Sequence, residues 1–290
     1  MHEKRKALVL LFVAILCISC GSMFVRVGAW PPVLAALARC LVATVFYFGL
    51  NSVRRSVVGQ APRWVTIVAG VALALHLWAW IASVGLTSVR NSALLVNSTP
   101  VWVLLIDLGL KNISDVRRVL LPIVLSTLGF VVVSFGDSGA GSTLSGDLLA
   151  LAGGMLLAVF IVAGREARKT LSVTQYAQRT YLWATLVLLI PALVQRPEPS
   201  WEPLRVGAVL AMCVFSQIIG HTLVANALGR VSASAVALIL LMEPVLASLY
   251  AWPLFGERPS MNFLYGGTLI LIAVGLAAYG QARQTESALG

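Results

Sequence analysis

Charge is scarce in this chain. Lys, Arg, Asp and Glu together make up 11% of its 290 residues, where a water-soluble domain carries about a quarter, so there are too few to cover a globule in water. Hydrophobic residues make up 59% and the mean hydropathy is +0.91, so the solvent this sequence suits is a bilayer. Acidic residues are scarcer still, 11 against 21 Lys and Arg, giving a net charge of +10. The basic residues are spread over short loops and not gathered on a folded domain, which argues against a nucleic-acid partner. Cysteine is limited to Cys17, Cys20, Cys40 and Cys213. All four fall in apolar stretches, where a thiol behaves as a small hydrophobe. Cys17 and Cys20 form a C-x-x-C, but no second pair or nearby histidine completes a metal site. The expectation is no disulfide framework, no zinc and no cofactor.

What is present is a series of long apolar runs, at about 7–27, 33–51, 64–86, 91–110, 118–136, 147–164, 175–194, 204–228, 232–254 and 262–281. Each is near the ~17–25 residues a helix needs to cross the hydrocarbon core. The predicted fold is therefore an all-α integral membrane protein of ten transmembrane helices, with only loops outside them. Under this reading 15 basic residues lie on the side of the N-terminus and five, Arg26, Arg90, Arg196, Arg205 and Arg258, on the other. The positive-inside rule makes the N-terminal side, and with ten spans both termini, cytoplasmic. Residues 1–19 also have the basic start and apolar centre of a signal peptide, ending Ile18-Ser19-Cys20-Gly21 like a lipoprotein signal. The run continues to Val27, however, which favours a retained first span.

The chain is internally duplicated. Set 144 residues apart, Gly85, Ser88, Ala93, Leu94, Pro100 and Val101 fall on Gly229, Ser232, Ala237, Leu238, Pro244 and Val245. Arg39 and Arg179 coincide when the second and seventh spans are aligned, and His76 and His221 lie at nearly equivalent depths in the third and eighth. Five spans are an odd number, so a second copy inserts upside down. The expected organisation is residues 1–136 as the first five-helix repeat, 137–146 as an external Gly/Ser/Asp-rich linker, and 147–290 as the second, inverted repeat.

Paired interruptions in such halves mark a carrier's central site. Pro100 and Pro244 lie near the middle of their spans and free the carbonyls of Val96 and Leu240. Such groups must meet a neighbouring helix or a wet cavity, although a packing kink is the simpler alternative. Glu243 is the most informative ionisable residue, since a carboxylate in mid-membrane faces a cavity or a partner. Ala247 and Tyr250 share its face. On the third span His76, Trp80 and Ser83 form a polar stripe, as Gln217 and His221 do on the eighth, although a buried histidine is more often structural than a ligand. Asn97 precedes Pro100 by one turn. Trp78, Trp80, Trp102 and Trp183 lie deep enough to wall a cavity, while Trp30, Trp64, Trp201 and Trp252 sit at span ends as an interfacial belt. Asp107 is nearer the cytoplasmic end and reads as snorkelling or paired. Arg39 can snorkel to the interface or hold a substrate carboxylate, and Arg179 stands at the matching place in the second half.

Glu243-Pro244-Val245, Phe255-Gly256-Glu257-Arg258, Tyr265-Gly266-Gly267-Thr268-Leu269-Ile270 and Val274-Gly275, with Gly21-Ser22-Met23-Phe24-Val25, Arg39 and Pro100-Val101 in the first half, resemble the EamA type of the drug/metabolite transporter superfamily. Within it, the chain resembles bacterial amino-acid exporters of the YddG type. The first half departs where Leu110-Lys111-Asn112 replaces the usual Gly-Glu and Cys20 stands where tryptophan is common. The resemblance implies two inverted five-helix repeats around a central cavity, export of small metabolites, often amino acids, and a helix-packing or gating ion pair at Arg39, with Arg179 as its counterpart in the second half. The expected protein is a monomeric or weakly dimeric inner-membrane carrier with a small-molecule substrate. A multidrug or amine exporter, a facilitative uniporter and a channel are the alternatives. An intramembrane enzyme is disfavoured, because no H-E-x-x-H, G-x-S-x-G or paired intramembrane aspartates occur.

Overall fold

The computed structural model describes residues 2–54, 62–87, 92, 95–110, 117–135, 143–256 and 259–286. Ser88, Ala93 and Leu94 of the repeated block, Arg90, Lys111 and Asn112, the linker up to residue 142, and Glu257 and Arg258 lie outside the described residues. The described chain is helical: α1 (His2–Ser19), α2 (Gly21–Gly28), α3 (Pro32–Arg54), α4 (Arg63–Leu86), α5 (Thr99–Gly109), α6 (Arg117–Phe135), α7 (Leu144–Ala167), α8 (Val173–Gln195), α9 (Pro203–Ala211), a π-helical stretch (Met212–His221), α10 (Thr222–Leu228), α11 (Ala233–Leu240), α12 (Met242–Phe255) and α13 (Met261–Glu286).

Eight helical stretches are long and apolar enough to cross a membrane. Two of the ten expected spans are represented by shorter apolar helices, Thr99–Gly109 and Val119–Val133. For the first of these the reason is local: the chain turns at Asn97 and Ser98, and the helix restarts at Thr99. The expected linker is also shorter than 137–146. Thr143 caps α7 by accepting from the Gly146 N–H at 3.2 Å, so Leu144 to Gly146 already belong to the helix.

Small residues set how closely the helices approach. In lipid, association depends on backbone proximity more than on apolar area. α4 lies along α7, α3 along α8, α6 along α13, and α1 along the π stretch and α10. A Cβ added at Gly129 would stand 2.6 Å from the Gly266 carbonyl oxygen, and one added at Gly266 would stand 2.3 Å from that of Gly129. α6 and α13 therefore cross backbone to backbone. Gly129→Leu or Gly266→Leu should lower stability in detergent by about 1–3 kcal/mol, the usual cost of overpacking, read as an earlier thermal transition. An unchanged transition would place the crossing elsewhere.

Alanines are packed through the core, with Ala14, Ala36, Ala43, Ala69, Ala158 and Ala184 fully enclosed beside larger side chains such as Phe160, Tyr176 and Met212. Cys40 and Cys213 are buried among them as free thiols. At one end Trp30 donates to the Ser200 carbonyl at 2.9 Å and meets Trp201 edge-on at 6.0 Å. Trp64, Trp201 and Trp252 are exposed, as interfacial tryptophans are.

Candidate functional site

The interruptions expected at Pro100 and Pro244 are helix starts and not kinks within a helix. Pro100 stands in the first turn of α5, after Ser98 at the N-cap. Pro244 stands in the first turn of α12, after Leu241 at the N-cap. Proline is tolerated there because the first N–H groups of a helix have no intrahelical acceptor. The Val96 carbonyl meets a partner within the protein: it accepts the Thr99 hydroxyl at 2.8 Å, which also reaches the Gly154 carbonyl at 3.1 Å. α7 comes this close because it has no side chain at the crossing; a Cβ on Gly154 would stand 2.6 Å from the Val96 oxygen.

Glu243 follows from the same break. It occupies the first turn of α12, where unpaired N–H groups and the helix dipole favour a negative charge. It is partly accessible. Pro244, Ala247 and Tyr250 are likewise partly accessible. Tyr250 neighbours the thiols of Cys17 and Cys20 on the side of α1.

Arg39 is the most deeply buried charge, 1% exposed, and its partners are neutral. Its Nε donates to Gln217 Oε1 at 2.9 Å and its Nη2 to Ser216 Oγ at 3.1 Å. The expected ion pair is therefore replaced by hydrogen bonds to the π stretch. Glu243 is within electrostatic range of Arg39, but no contact within 4.0 Å joins them. Arg179 is in another place. Its neighbour Gln178 accepts from Asn51 at 2.6 Å, and Asn51 lies twelve residues along α3 from Arg39, about 18 Å by helical rise.

The π stretch positions the partners of Arg39. Its i→i+5 bonding widens the turn and re-aims its carbonyls, a geometry found often at functional sites. Two tyrosines approach them: Tyr181 donates to the Gln217 carbonyl at 3.3 Å, and Tyr47 reaches the Ile218 carbonyl at 3.3 Å and Thr222 Oγ1 at 2.7 Å. Gly21 lets the first span approach, since its Cβ would lie 3.0 Å from Ser216 Oγ. Three buried side-chain nitrogens here have no partner: Arg39 Nη1, Gln217 Nε2 and His221 Nδ1.

α7 links this cluster to the first-half residues. The His221 ring meets that of Phe160 at 6.2 Å. Two turns back on α7, the Gly153 carbonyl bonds to His76 Nδ1 at 2.9 Å. A carbonyl can only accept, so Nδ1 carries a proton in this bond. Trp80, one turn from His76, also borders Gly153. Trp102 Nε1 donates to Ser98 Oγ at 3.0 Å, holding that indole against the α5 start. Asn97 lies half-buried in the turn itself. Trp78, two residues from His76, points off that face and packs against the apolar core.

Asp107 is paired, as the first of its two expected alternatives gives way to the second. Arg165 Nη1 donates to Asp107 Oδ2 at 2.9 Å, and Arg165 Nη2 lies 2.8 Å from Oδ1. The side chains are 3% and 14% exposed, so the pair ties α5 to α7 largely out of water. Sequence reasoning passed over Arg165, Ser216, Tyr47 and Tyr181. A lone acid in an apolar helix signals a basic partner somewhere, but nothing in the spacing says which.

The geometry accords with what the chain resembles. Residues 144–279 match the sequence model of the EamA-like transporter family. An uncharacterized transporter of Archaeoglobus fulgidus is 24% identical over 193 residues, 65% of this chain and 66% of that protein's length. A solved protein crystal structure superposes with a TM-score of 0.82 over 97% of this chain and 99% of its own, at 18% identity, which speaks to the fold alone. The second half of this chain thus carries the signature of a transporter family, on a fold already known from a crystal.

Proposed function

We propose that the whole chain is an EamA-like secondary transporter of the inner membrane, which exports small metabolites, most readily amino acids, by alternating access. The observation that carries this reading is the pair of helix starts at Thr99 and Met242, each with its proline in the first turn, the prolines standing 144 positions apart. Broken helices at matching places in two halves build a site that either half can open. The helix pairing supports it. If the halves are exchanged, so that the first span takes the place of the sixth and the third that of the eighth, the contact of α1 with the π stretch becomes that of α7 with α4. The pairs α3 with α8, α5 with α11 and α6 with α13 map onto themselves. That is the pattern a duplicated five-span unit generates, and an odd number of spans would invert the second copy.

The test is counterflow of labelled amino acids in proteoliposomes, with amines and sugars as controls. Saturable exchange supports a carrier, and linear flux a channel. Pro244→Ala should fold and exchange several-fold more slowly, because an added N–H lets α11 and α12 join across the break. Wild-type exchange would reduce the break to packing. For orientation, a single cysteine at Ser200 in a background free of native cysteine should label from outside, and one at Lys169 should not. The opposite pattern would invert the topology.

A further inference from the structure

The proposed function leaves the C-x-x-C of the first span unused. Cys17 lies in the last turn of α1, and Cys20 is the N-cap of α2. Cys20 keeps right-handed helical angles, φ −70° and ψ −15°, and its carbonyl accepts the Phe24 N–H at 3.1 Å, so helical spacing runs through the junction. Residues at i and i+3 are neighbours on a helix surface. Helical side chains lean toward the N-terminus, and the Cys20 thiol does so: its Sγ donates to the Leu16 carbonyl at 3.5 Å, which carries it back over the turn that holds Cys17. Both thiols are free and half-buried, whereas Cys40 and Cys213 are fully enclosed.

The spacing favours a bridging ion over a disulfide. Cβ atoms at i and i+3 are about 5–6 Å apart, but a disulfide draws them to about 3.8 Å, which the helix would have to distort to reach. An ion between the sulfurs, about 2.3 Å from each as metal–thiolate bonds are, fills that gap. A four-coordinate ion lacks ligands here, since among the described residues no group of three or more His, Cys, Asp or Glu could hold a metal. The ion must therefore be one that two thiolates satisfy. Charge narrows the class further, because a net charge within an apolar span is costly. Two thiolates around a monovalent ion leave one negative charge; around a divalent ion they leave none. We propose that Cys17 and Cys20 form a two-thiol site for a divalent, thiophilic, two-coordinate ion of the mercury(II) class. Neutral mercuric chloride exchanges both chlorides for the two sulfurs, the two thiol protons leave with the chlorides, and no oxidant is involved. A neutral reactant thus becomes a neutral complex. The site does not depend on the carrier reading.

The experiment uses the purified full chain in detergent, an equimolar amount of mercuric chloride, and excess glutathione as a competing thiol. A single cysteine yields the ion to such an excess. A pair that holds it from both sides does not, because joining two binding groups raises affinity about a hundredfold to ten-thousandfold. After desalting, the wild type should retain one mercury per chain by elemental analysis. Cys17→Ser and Cys20→Ser should each weaken retention about a hundredfold or more. Serine is close to cysteine in shape, and an unchanged thermal transition would show that the fold survives. The double variant Cys40→Ala with Cys213→Ala should retain the ion as the wild type does. Retention by either serine variant overturns the site, as does a wild type that surrenders its mercury to glutathione. Loss of the ion from the double variant would place it at the enclosed thiols and overturn the assignment too. A disulfide between Cys17 and Cys20 in the chain as purified, mapped after digestion, would contradict the spacing on which the site rests.

Discussion

Arg165→Met should destabilise the protein by about 3–5 kcal/mol, the range for removing one partner of a buried ion pair. The carboxylate of Asp107 is 3% exposed and meets Arg165 through both oxygens. Removing the guanidinium leaves that carboxylate without its counter-charge between α5 and α7. The consequence reaches beyond stability, because α5 begins at the first-half break and α7 carries the glycines that pack against it. The matching double variant, Asp107→Leu with Arg165→Met, should recover most of the loss, since an apolar pair of similar volume is often no worse than a buried salt bridge. Thermal unfolding in detergent would measure both. A single variant as stable as the wild type would mean that water reaches the pair, and that it binds the helices no more strongly than a surface contact.

Glu243→Gln should lower amino-acid exchange by about tenfold to a hundredfold, the value of a charge-assisted hydrogen bond to an ammonium group. Glutamine preserves the shape of the side chain and its place in the first turn of α12, but removes the charge that the ammonium group of an amino acid would meet under the proposed carrier reading. Exchange and accumulation driven by a pH gradient should therefore fall together, while binding of 4-methylpentanoate, which has no ammonium, should hold or improve. If exchange survives and only gradient-driven accumulation is lost, Glu243 carries protons and the ammonium group is bound elsewhere. Wild-type behaviour in both assays would leave the carboxylate as a structural element of the helix start.

Some of this was legible in the residues. Proline 100 and proline 244 marked both breaks, because no other residue lacks the N–H that an uninterrupted helix needs at those places. Asp107 and Glu243 stood out as costly in lipid. What spacing could not reveal was how each break is built. Thr99 satisfies the Val96 carbonyl from within its own turn, a choice open to any hydroxyl near a helix start. Arg39 was legible as important and misleading as to its partner. An ion pair is the expectation for a buried arginine, but the Ser216 and Gln217 acceptors lie on a π turn, and the pattern of apolar residues reads the same for π as for α over so short a stretch. His76 and Gly153 meet across 77 positions. Nothing in the periodicity of either helix encodes that meeting.

The π stretch between Met212 and His221 gives residue number a meaning apart from residue type. An α-helix turns by about 100° per residue, so deleting one residue here would let the segment close into regular α geometry and swing everything upstream around the axis. Ser216 and Gln217 could then no longer face Arg39 while His221 still faced Phe160. Two relatives whose eighth spans differ by one residue in length would present different chemistry to the same space even where every aligned side chain matched. An alignment that places its gap in the loop before Pro203 would hide that difference, and substrate preference would seem to change without a substitution to explain it.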